Sequence, residues 1–466
     1  MSNSGEGAHI LVFPYPAQGH MLAMLDLTHQ LALRGLTITI LVTPKNLPIL
    51  NPLLSSHPSI QTLVFPFPHY PSLPSGVENV RDIGNSGNVW IINALSRLRD
   101  PIIQWFKSHP TSPVALISDF FLGWTQHLAH HLGIPRICFF SCGAFLTAVS
   151  IYLWQNIDTV RSLAVVDFPD LPRSPRFTEE HLPSVFRLYR ESDPDWQFVK
   201  DCMIANSSSW GCVFNSFEAL EGEYLDHLKK NMGHRRVFGV GPLSLAGGFE
   251  PMGGNNPNLV DDSVLAWLDG CPDGSVVYVC FGSQKLLKRT QMEALASGLD
   301  RSGVRFVWVV NSVTAQEVKD GSGIVPDGFE DRVSGRGVVI KRWAPQVAIL
   351  SHPAVGGFLS HCGWNSFLEG TLAGVMILAW PMEADQFVNA RHMVEDMEAA
   401  VRVCEGADTV PDPVELGRII AESVSGDKKE KRRAKELRDQ ALEAVKKGGS
   451  SWRDLDGLVR ELAQLE

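Results

Sequence analysis

Short apolar runs alternate with longer segments of helical periodicity along the N-terminal part of the chain. Between the first two runs, apolar residues recur at helical spacing from Leu22 to Leu31, and the pattern stops at Arg34 and Gly35, a cationic last turn followed by a glycine. This alternation predicts a doubly wound α/β domain with a parallel sheet. Strands are predicted at residues 9–13, 37–42, 60–65, 114–117 and 136–140, and those at 9–13 and 114–117 are expected to be buried.

The pattern changes twice further along the chain. Residues 160–198 are rich in proline and aspartate, so we expect an irregular, partly helical excursion there. Residues 247–258, GGFEPMGGNNPN, are rich in glycine and proline and predict a linker. The strand and helix rhythm then resumes, with strands predicted at 276–281, 306–310 and 338–341 and helices at 263–268, 388–395, 413–424, 427–447 and 452–465.

Length and composition support two globular domains. A chain of 466 residues exceeds the roughly 250–300 residues that one hydrophobic core usually supports. We therefore expect a first domain over 1–246, a second over 259–449, and a final helical segment, 450–466.

Charge and cysteine usage narrow the functional classes. A net charge of −10 argues against a nucleic-acid partner, because phosphates are neutralised by basic surfaces. Eight cysteines without C-x-x-C spacing, after an N-terminus that does not resemble a signal peptide, indicate free thiols in a reducing compartment, and we expect a cytoplasmic protein. No apolar run reaches the ~18 residues of a membrane span.

The most informative stretch is 343–386. An apolar run at 355–359 leads into His361-Cys362-Gly363-Trp364-Asn365-Ser366, and a helical pattern follows, so the stretch predicts strand, tight turn and helix. The first N–H groups of a helix carry partial positive charge, and Gly363 lets a ligand approach the backbone closely. A diphosphate is expected at Asn365 and Ser366, with His361 donating to it.

This stretch resembles the signature box of plant family 1 UDP-glycosyltransferases. The resemblance rests on WAPQ, SHPAVGGF, HCGWNS, Glu369 three residues after Ser366, and a final DQ. It implies a GT-B fold, in which two Rossmann-like doubly wound domains face each other across a cleft, with the last helix packed on the first domain. One departure is Met376, where the family usually has proline.

The resemblance also implies residue roles in donor binding. Trp343 would stack on uracil, with Ala344 and Gln346 at its edge, and Glu369 would accept from ribose hydroxyls. The diphosphate would be held by His361, Asn365 and Ser366, and the sugar by Trp364, Asp385 and Gln386. Gly19, Ser141, Ser283 and Gly363 complete the expected donor-binding set. Ser141, which follows a strand, equally fits a turn serine.

His20 and Asp119 are the candidate catalytic residues. Each follows or ends a predicted strand, and ligands of doubly wound sheets bind outside the carboxyl ends of strands. Position alone favours a turn-capping histidine and a helix-capping aspartate. The segment PAQGH resembles the family's catalytic-base motif, with Ala23 in place of a common proline, and this favours a base, His20, whose tautomer is fixed by Asp119.

A resident metal is not expected. His127, His130 and His131 share a helical segment, but no third acidic ligand is specified. The pair Asp167 and Asp170 does not have the spacing of a DxD clamp. We instead expect His361 and helix N–H groups to hold the diphosphate.

Two other functional classes fit the sequence less well than a transferase does. A non-catalytic nucleotide-sugar-binding protein would keep the 343–386 stretch but lose His20 or Asp119, and both are present. A dinucleotide oxidoreductase needs G-x-G-x-x-G, and Gly239-Val240-Gly241-Pro242 lacks the third glycine.

We therefore expect an inverting, UDP-sugar-dependent glycosyltransferase that acts as a monomer on a small phenolic or flavonoid-like acceptor. The family tends to carry Gln at the last box position for glucose and His for galactose, so Gln386 favours UDP-glucose. An amide can donate to and accept from neighbouring sugar hydroxyls. UDP-rhamnose, UDP-xylose and C-glycosylation remain open, and loops 66–88 and 160–200 are expected to select the acceptor.

Overall fold

The computed structural model describes residues 7–245, 262–282, 285–310, 321–341 and 343–465. The chain divides into two compact units, the first of Met1–Glu180, Val185–Met252 and Glu443–Glu466, the second of His181–Ser184 and Gly253–Leu442. The expected linker, 247–258, lies outside the described residues. The C-terminal boundary differs from the expected one, because residues 443–449 belong to the first unit.

The first unit contains a seven-stranded sheet in which all neighbouring strands are parallel. The order across the sheet is β3-β2-β1-β4-β5-β8-β9. Its strands are β1 (His9–Phe13), β2 (Thr37–Val42), β3 (Gln61–Val64), β4 (Ala115–Asp119), β5 (Arg136–Phe140), β8 (Gly211–Phe214) and β9 (Val237–Gly239). Every residue of β1, β4 and β5 is buried, as expected for central parallel strands covered on both faces.

Helices connect these strands. Those that precede residue 245 are α1 (Gln18–Leu33), α2 (Asn51–Ser56), α3 (Asn88–Ser96), α4 (Arg99–Ser108), α5 (Thr125–Leu132), α6 (Ala144–Gln155), α7 (Ile157–Val160), α8 (Ser184–Arg187), α9 (Pro194–Ala205) and α10 (Glu218–Asn231). The core beside β1 includes Met24 and Leu27 of α1. It also includes Leu455, Leu458 and Leu462 of the last helix, α19 (Ser450–Ala463), so this helix packs on the first sheet.

Two expectations for the first unit were incomplete. The excursion at 160–198 contains an antiparallel hairpin, β6 (Val165–Asp167) with β7 (Arg176–Thr178), whose strands are too short to give a periodic signal. The amphipathic pattern of residues 88–105 predicts one helix, whereas the structure has two there, α3 and α4. Pro101, in the first turn of α4, has no N–H to continue a helix from α3.

The second unit contains a six-stranded parallel sheet of order β12-β11-β10-β13-β14-β15. Its strands are β10 (Val276–Cys280), β11 (Arg305–Val309), β12 (Gly337–Ile340), β13 (Val355–Ser360), β14 (Met376–Ala379) and β15 (Ala400–Arg402). The helices after residue 261 and before α19 are α11 (Asp262–Asp269), α12 (Arg289–Ser302), α13 (Phe329–Arg332), α14 (Gln346–Leu350), α15 (Trp364–Ala373), α16 (Gln386–Arg391), α17 (Pro413–Val424) and α18 (Lys429–Val445).

Two further properties bear on the class of protein. All eight cysteines are free thiols, as their spacing predicted. Among the described helices, none combines the length and the apolar character that crossing a bilayer requires.

Candidate active site

In each sheet the strand order reverses beside the strand that comes first in the chain. In the first unit β1 lies between β2 and β4. The chain leaves β1 towards β2 and leaves β4 towards β5, so the two connections diverge and open a crevice at these carboxyl ends. Phe13, the last residue of β1, pairs with Ser118 of β4. The chain that follows β1 carries His20 in the first turn of α1, and β4 ends at Asp119. The fold therefore brings both candidate catalytic residues to one crevice.

His20 and Asp119 form a hydrogen-bonded pair. The distance from Nδ1 of His20 to Oδ2 of Asp119 is 2.9 Å, and the imidazole is 21% exposed whereas the carboxylate is 0% exposed. A carboxylate only accepts, so Nδ1 carries the proton and Nε2 holds the lone pair. The other carboxylate oxygen, Oδ1, accepts from the N–H of Phe121 at 2.9 Å. Asp119 thus caps a helical turn and orients His20 at once, one role for each oxygen.

Aromatic rings surround this pair. Phe120 and Phe121 stack on the imidazole of His20 with centroids 5.4 and 5.0 Å away, and Tyr15 meets it edge-on at 5.4 Å. Burial raises the pKa of Tyr15 well above its usual range, so its hydroxyl stays protonated and donates to Oδ1 of Asn88 at 2.6 Å. Tyr15 and Phe121 are buried, so of these three rings Phe120 supplies the accessible aromatic surface beside His20.

Two other expected residues lie in the same unit. Gly19 is in the first turn of α1, directly before His20. Ser141 follows β5 directly, and its buried hydroxyl has no hydrogen-bond partner within the described part of the chain. An unpaired buried hydroxyl costs free energy, so Ser141 fits a ligand contact better than a turn-stabilising role.

The second sheet reverses its order between β10 and β13, and Cys280 of β10 pairs with Ser360 of β13. Gly282 and His361 follow these two strand ends. The ring of His361 occupies space that side chains at two glycines would need, since a Cβ on Gly282 or Gly363 would lie 2.6 or 2.7 Å from its Nε2. Gly282 also has a φ of +75°, which other residues rarely adopt.

His361 is poised to meet a ligand. Its Nδ1 is buried and makes no hydrogen bond to any described residue. Burial lowers the pKa of His361 to about 4, so the ring is neutral at neutral pH and offers one N–H donor. The turn after it ends at Gly363, which precedes α15, and Asn365 and Ser366 lie in the first turn of that helix. First-turn N–H groups have no acceptor within their own helix, so the arrangement suits an anion.

The turn that presents His361 is strained and braced. Cys362 has a φ of +66°, unusual for a residue with a side chain. Its N–H donates to Oγ of Ser360 at 3.1 Å, and its carbonyl accepts from Nδ2 of Asn389 at 2.9 Å. Asn389 also donates to Oδ2 of Asp385 at 2.7 Å. One buried amide therefore fixes both the expected diphosphate turn and the expected sugar-binding carboxylate.

Gln346 and Glu369 lie in direct contact. Nε2 of Gln346 donates to Oε2 of Glu369 at 2.6 Å and to Oγ of Ser366 at 3.1 Å, while the hydroxyl of Tyr278 donates to Oε1 of Gln346 at 3.1 Å. Burial raises the pKa of Glu369 to about 7, and the hydrogen bond from Gln346 opposes that rise. Ala344, beside them in the chain, is buried, whereas Trp343 is 38% exposed and offers ring surface for stacking.

One sugar-binding expectation, the use of the Gln386 amide as both donor and acceptor, needs correction. The amide oxygen of Gln386 accepts from the N–H groups of Met382 and Glu383, at 2.9 and 3.0 Å. Because the oxygen is engaged in shaping its own loop, the amide offers a donor to a sugar and does not serve as donor and acceptor at once. The indole of Trp364 is buried and stacks on Phe367 with centroids 4.8 Å apart, and its expected contact with the sugar stays a prediction. Ser283 lies outside the described residues.

Several supporting residues were missed by sequence reasoning. Phe120 and Phe121 follow Asp119 directly, so their place beside the expected base was available from the motif SDFF. Gly282 precedes the expected Ser283 and was equally accessible. Tyr278 and Asn389 were not, because nothing in the sequence indicates which of many buried polar groups meet.

Comparisons with known proteins identify the family of the chain. The family model described as UDP-glucoronosyl and UDP-glucosyl transferase matches residues 260–415. UDP-glycosyltransferase 89A2 of Arabidopsis thaliana is 54% identical over 469 residues, covering 100% of this chain and 98% of the relative. The chain belongs to the plant family 1 UDP-glycosyltransferases.

Two further relatives extend the comparison. The flavonol 3-O-glucosyltransferase UGT89B1 of Arabidopsis thaliana is 49% identical over 475 residues, covering 100% of this chain and 98% of the relative. A crystal structure of Arabidopsis thaliana UGT89C1 complexed with UDP-L-rhamnose matches with a TM-score of 0.81 at 40% identity, covering 98% of this chain and 100% of that one. This UDP-glycosyltransferase thus has the GT-B fold, with two Rossmann-like α/β domains.

Replacement of Gly282 tests whether the close packing around His361 matters for UDP binding. We expect Gly282→Ala to weaken UDP binding about tenfold to hundredfold, because the added Cβ must displace the ring and overpacking of this kind costs about 1–3 kcal/mol. Isothermal titration with UDP measures the change. Gly274→Ala is the matched control, since Gly274 has a φ of +63° and no atom lies within 4 Å of the added Cβ. Equal UDP affinity in the two variants would contradict the role.

Proposed function

We propose that this UDP-glycosyltransferase transfers glucose from UDP-glucose, with inversion, to a hydroxyl of a planar phenolic small molecule. The observation that carries the proposal is the His20–Asp119 pair, a partly exposed imidazole oriented by a fully buried carboxylate at the switch point of the first sheet. Nothing in a purely structural role would require the ring to remain accessible while one nitrogen is fixed.

His20 would act as the general base. With its proton on Nδ1 and Asp119 as acceptor, Nε2 can take the proton of the acceptor hydroxyl, and the buried carboxylate stabilises the imidazolium that forms. The acceptor oxygen then forms a bond to the anomeric carbon while the bond from that carbon to the diphosphate oxygen breaks. Attack from the face opposite the leaving group inverts the configuration at the anomeric carbon.

The departing UDP would be stabilised in the second unit. Neutral His361 supplies a donor, and the first turn of α15 supplies backbone N–H groups, including those at Asn365 and Ser366. These preorganised donors are directed at the oxygens on which negative charge develops. The proposal therefore assigns charge stabilisation to the protein and includes no metal ion in the reaction.

The acceptor class follows from the rings beside His20. Phe120, which stacks on the ring of His20 and is partly exposed, provides a flat apolar surface that suits an aromatic acceptor, which gains both burial and ring stacking. One relative is named as a flavonol 3-O-glucosyltransferase, and UGT89C1 has been solved complexed with quercetin. Both support a flavonoid-like phenol as the acceptor of this chain.

The donor assignment rests on the Asp385 and Gln386 pair. Asn389 holds one oxygen of Asp385, and the amide oxygen of Gln386 is bound to its own loop. The pair thus offers a carboxylate acceptor beside an amide donor, which suits two adjacent equatorial hydroxyls such as those of glucose. UDP-rhamnose is the second candidate, because UGT89C1 has been solved with UDP-L-rhamnose.

Removal of the proposed base tests the reaction mechanism. His20→Ala should lower kcat by about 10²–10⁴ and leave UDP affinity unchanged, because general-base help is lost while the UDP site is untouched. Initial rates with UDP-glucose and quercetin, followed by mass spectrometry, give kcat, and titration gives UDP affinity. His127→Ala, an exposed histidine on α5, is the control. A parental kcat in His20→Ala would refute the assignment.

Donor affinity should depend on pH through Glu369. An ionised Glu369 accepts from ribose hydroxyls, and its pKa is about 7, so binding favours loss of its proton. UDP-glucose affinity should therefore be greatest above that pH and fall by up to about tenfold per unit below it. UDP-glucose suits the titration better than UDP, whose terminal phosphate ionises near pH 6, about the value for phosphate monoesters. Glu369→Gln should flatten the profile, and an unchanged slope in this variant would exclude Glu369 as the cause.

Donor choice can be read in a single competition. With equimolar UDP-glucose, UDP-galactose, UDP-xylose and UDP-rhamnose, we expect the glucoside as the main product, because a mismatched hydroxyl leaves a buried polar group unpaired at about 1–3 kcal/mol. Chromatography separates the isobaric hexosides before mass spectrometry. Gln386→Ala should reduce the preference about tenfold or more, as loss of one such contact implies. A rhamnoside as main product would overturn the donor assignment and leave the enzyme class intact.

A further inference from the structure

A buried arginine lies beneath the end of the strand that carries Asp119. Arg136, the first residue of β5, is 1% exposed. Its Nε donates to Oγ of Ser118 at 2.8 Å, and its Nη2 donates to the backbone carbonyl of Asp119 at 3.2 Å. Its Nη1 donates to Oδ1 of Asn206 and Oγ of Ser209, both at 2.9 Å. Four of the five N–H donors of a guanidinium are thus engaged.

These contacts converge on three consecutive residues. Ser118 and the carbonyl of Asp119 are held by Arg136 directly, and the carbonyl of Phe120 accepts from Nδ2 of Asn206 at 2.9 Å. Asn206 is in turn oriented by Arg136 through its amide oxygen. The guanidinium therefore holds the hydroxyl of Ser118 and the carbonyl of Asp119 directly, and the carbonyl of Phe120 through Asn206.

The charge of Arg136 also needs an explanation. A buried cation is costly to desolvate, and such groups are usually paired with a carboxylate. Within the described residues all the acceptors of Arg136 are neutral: two hydroxyls, an amide and a carbonyl. The anion next to this network is Asp119, which is 0% exposed and accepts from His20 instead. Stability alone gives little reason to keep an unpaired guanidinium here.

We propose that Arg136 is a positioning residue for the His20–Asp119 pair. By fixing the end of β4, it holds the carboxylate of Asp119 where Oδ2 meets Nδ1 of His20. Lysine cannot reproduce this, because its ammonium is a single point of charge on a flexible stem, whereas the planar guanidinium reaches acceptors in several directions at once. The inference rests on the proposed function, in which His20 is the base.

A comparison in two backgrounds tests the proposal. Arg136→Lys should lower kcat by about tenfold to hundredfold in the parent enzyme, the effect of a displacement of about 1 Å in a catalytic group, with the KM for UDP-glucose unchanged. In an Asp119→Ala background the same substitution should change kcat by less than about twofold, because the group that it positions is absent. Mass spectrometry of the glucoside gives the rates. A merely structural arginine would lower activity by the same factor in both backgrounds, and that result overturns the proposal.

The same experiment separates the two levels of inference. Parental kcat in Asp119→Ala alone would refute the proposed function itself. A reduced kcat in Asp119→Ala, with equal effects of Arg136→Lys in both backgrounds, would refute only the positioning role.

A second pair of variants decides the question even if Arg136→Lys does not fold. Ser118→Ala and Ser209→Ala each remove one hydroxyl acceptor of the guanidinium, but only Ser118 is on the strand that carries Asp119. The hydroxyl of Ser118 also pairs with that of Thr125 at 2.7 Å, so Ser118→Ala should lower the melting temperature more than Ser209→Ala does. We expect a kcat about fivefold lower in Ser118→Ala alone, the effect of one hydrogen bond. Equal kcat values in the two variants would overturn the positioning role.

Discussion

The reversal of strand order beside the first strand of each sheet is the constraint on which the candidate residues of each unit depend. In the first unit the connections diverge after the carboxyl ends of β1 and β4, and in the second they diverge after those of β10 and β13. Parallel strands present all their carboxyl ends at one edge, and only a reversal leaves a crevice between two neighbours. His20 with Asp119 and Gly282 with His361 occupy these crevices because they follow the strands that border them.

The two crevices use different physical means to fix a histidine. His20 is oriented by a hydrogen bond to a buried carboxylate, which suits a ring that must accept a proton and then carry charge. His361 fills space left by the missing side chains of Gly282 and Gly363, and burial keeps its ring neutral. A neutral, confined ring suits a fixed donor to an anionic ligand. Both residues are histidines, so their different surroundings account for the different proposed roles, a base for His20 and a hydrogen-bond donor for His361.

Sequence reasoning located the elements well and their cross-connections poorly. Short apolar runs locate the strands after or at whose ends His20, Asp119 and His361 lie. The proximity of His20 and Asp119 follows from the sheet topology. The link from Arg136 to Asn206 spans 70 residues, and no local pattern indicates it. The hairpin of β6 and β7 was missed because strands of three residues have no measurable period. The orientation of the Gln386 amide depends on two N–H groups of its own loop, which a residue type cannot reveal.

The bracing of the sugar loop limits what a single residue can determine. The amide oxygen of Gln386 shapes the loop that precedes it, and Asn389 ties the carboxylate of Asp385 to the turn at Cys362. A substitution at Gln386 therefore removes the proposed donor to the sugar and also leaves two loop N–H groups without their acceptor. Its effect on donor choice would combine the lost sugar contact with a displacement of the loop. Because Asn389 joins the sugar loop to the diphosphate turn, a displacement at either end reaches the other. If the proposed sugar contacts hold, donor selectivity is accordingly a property of this braced segment as a whole, with Gln386 as one of its members.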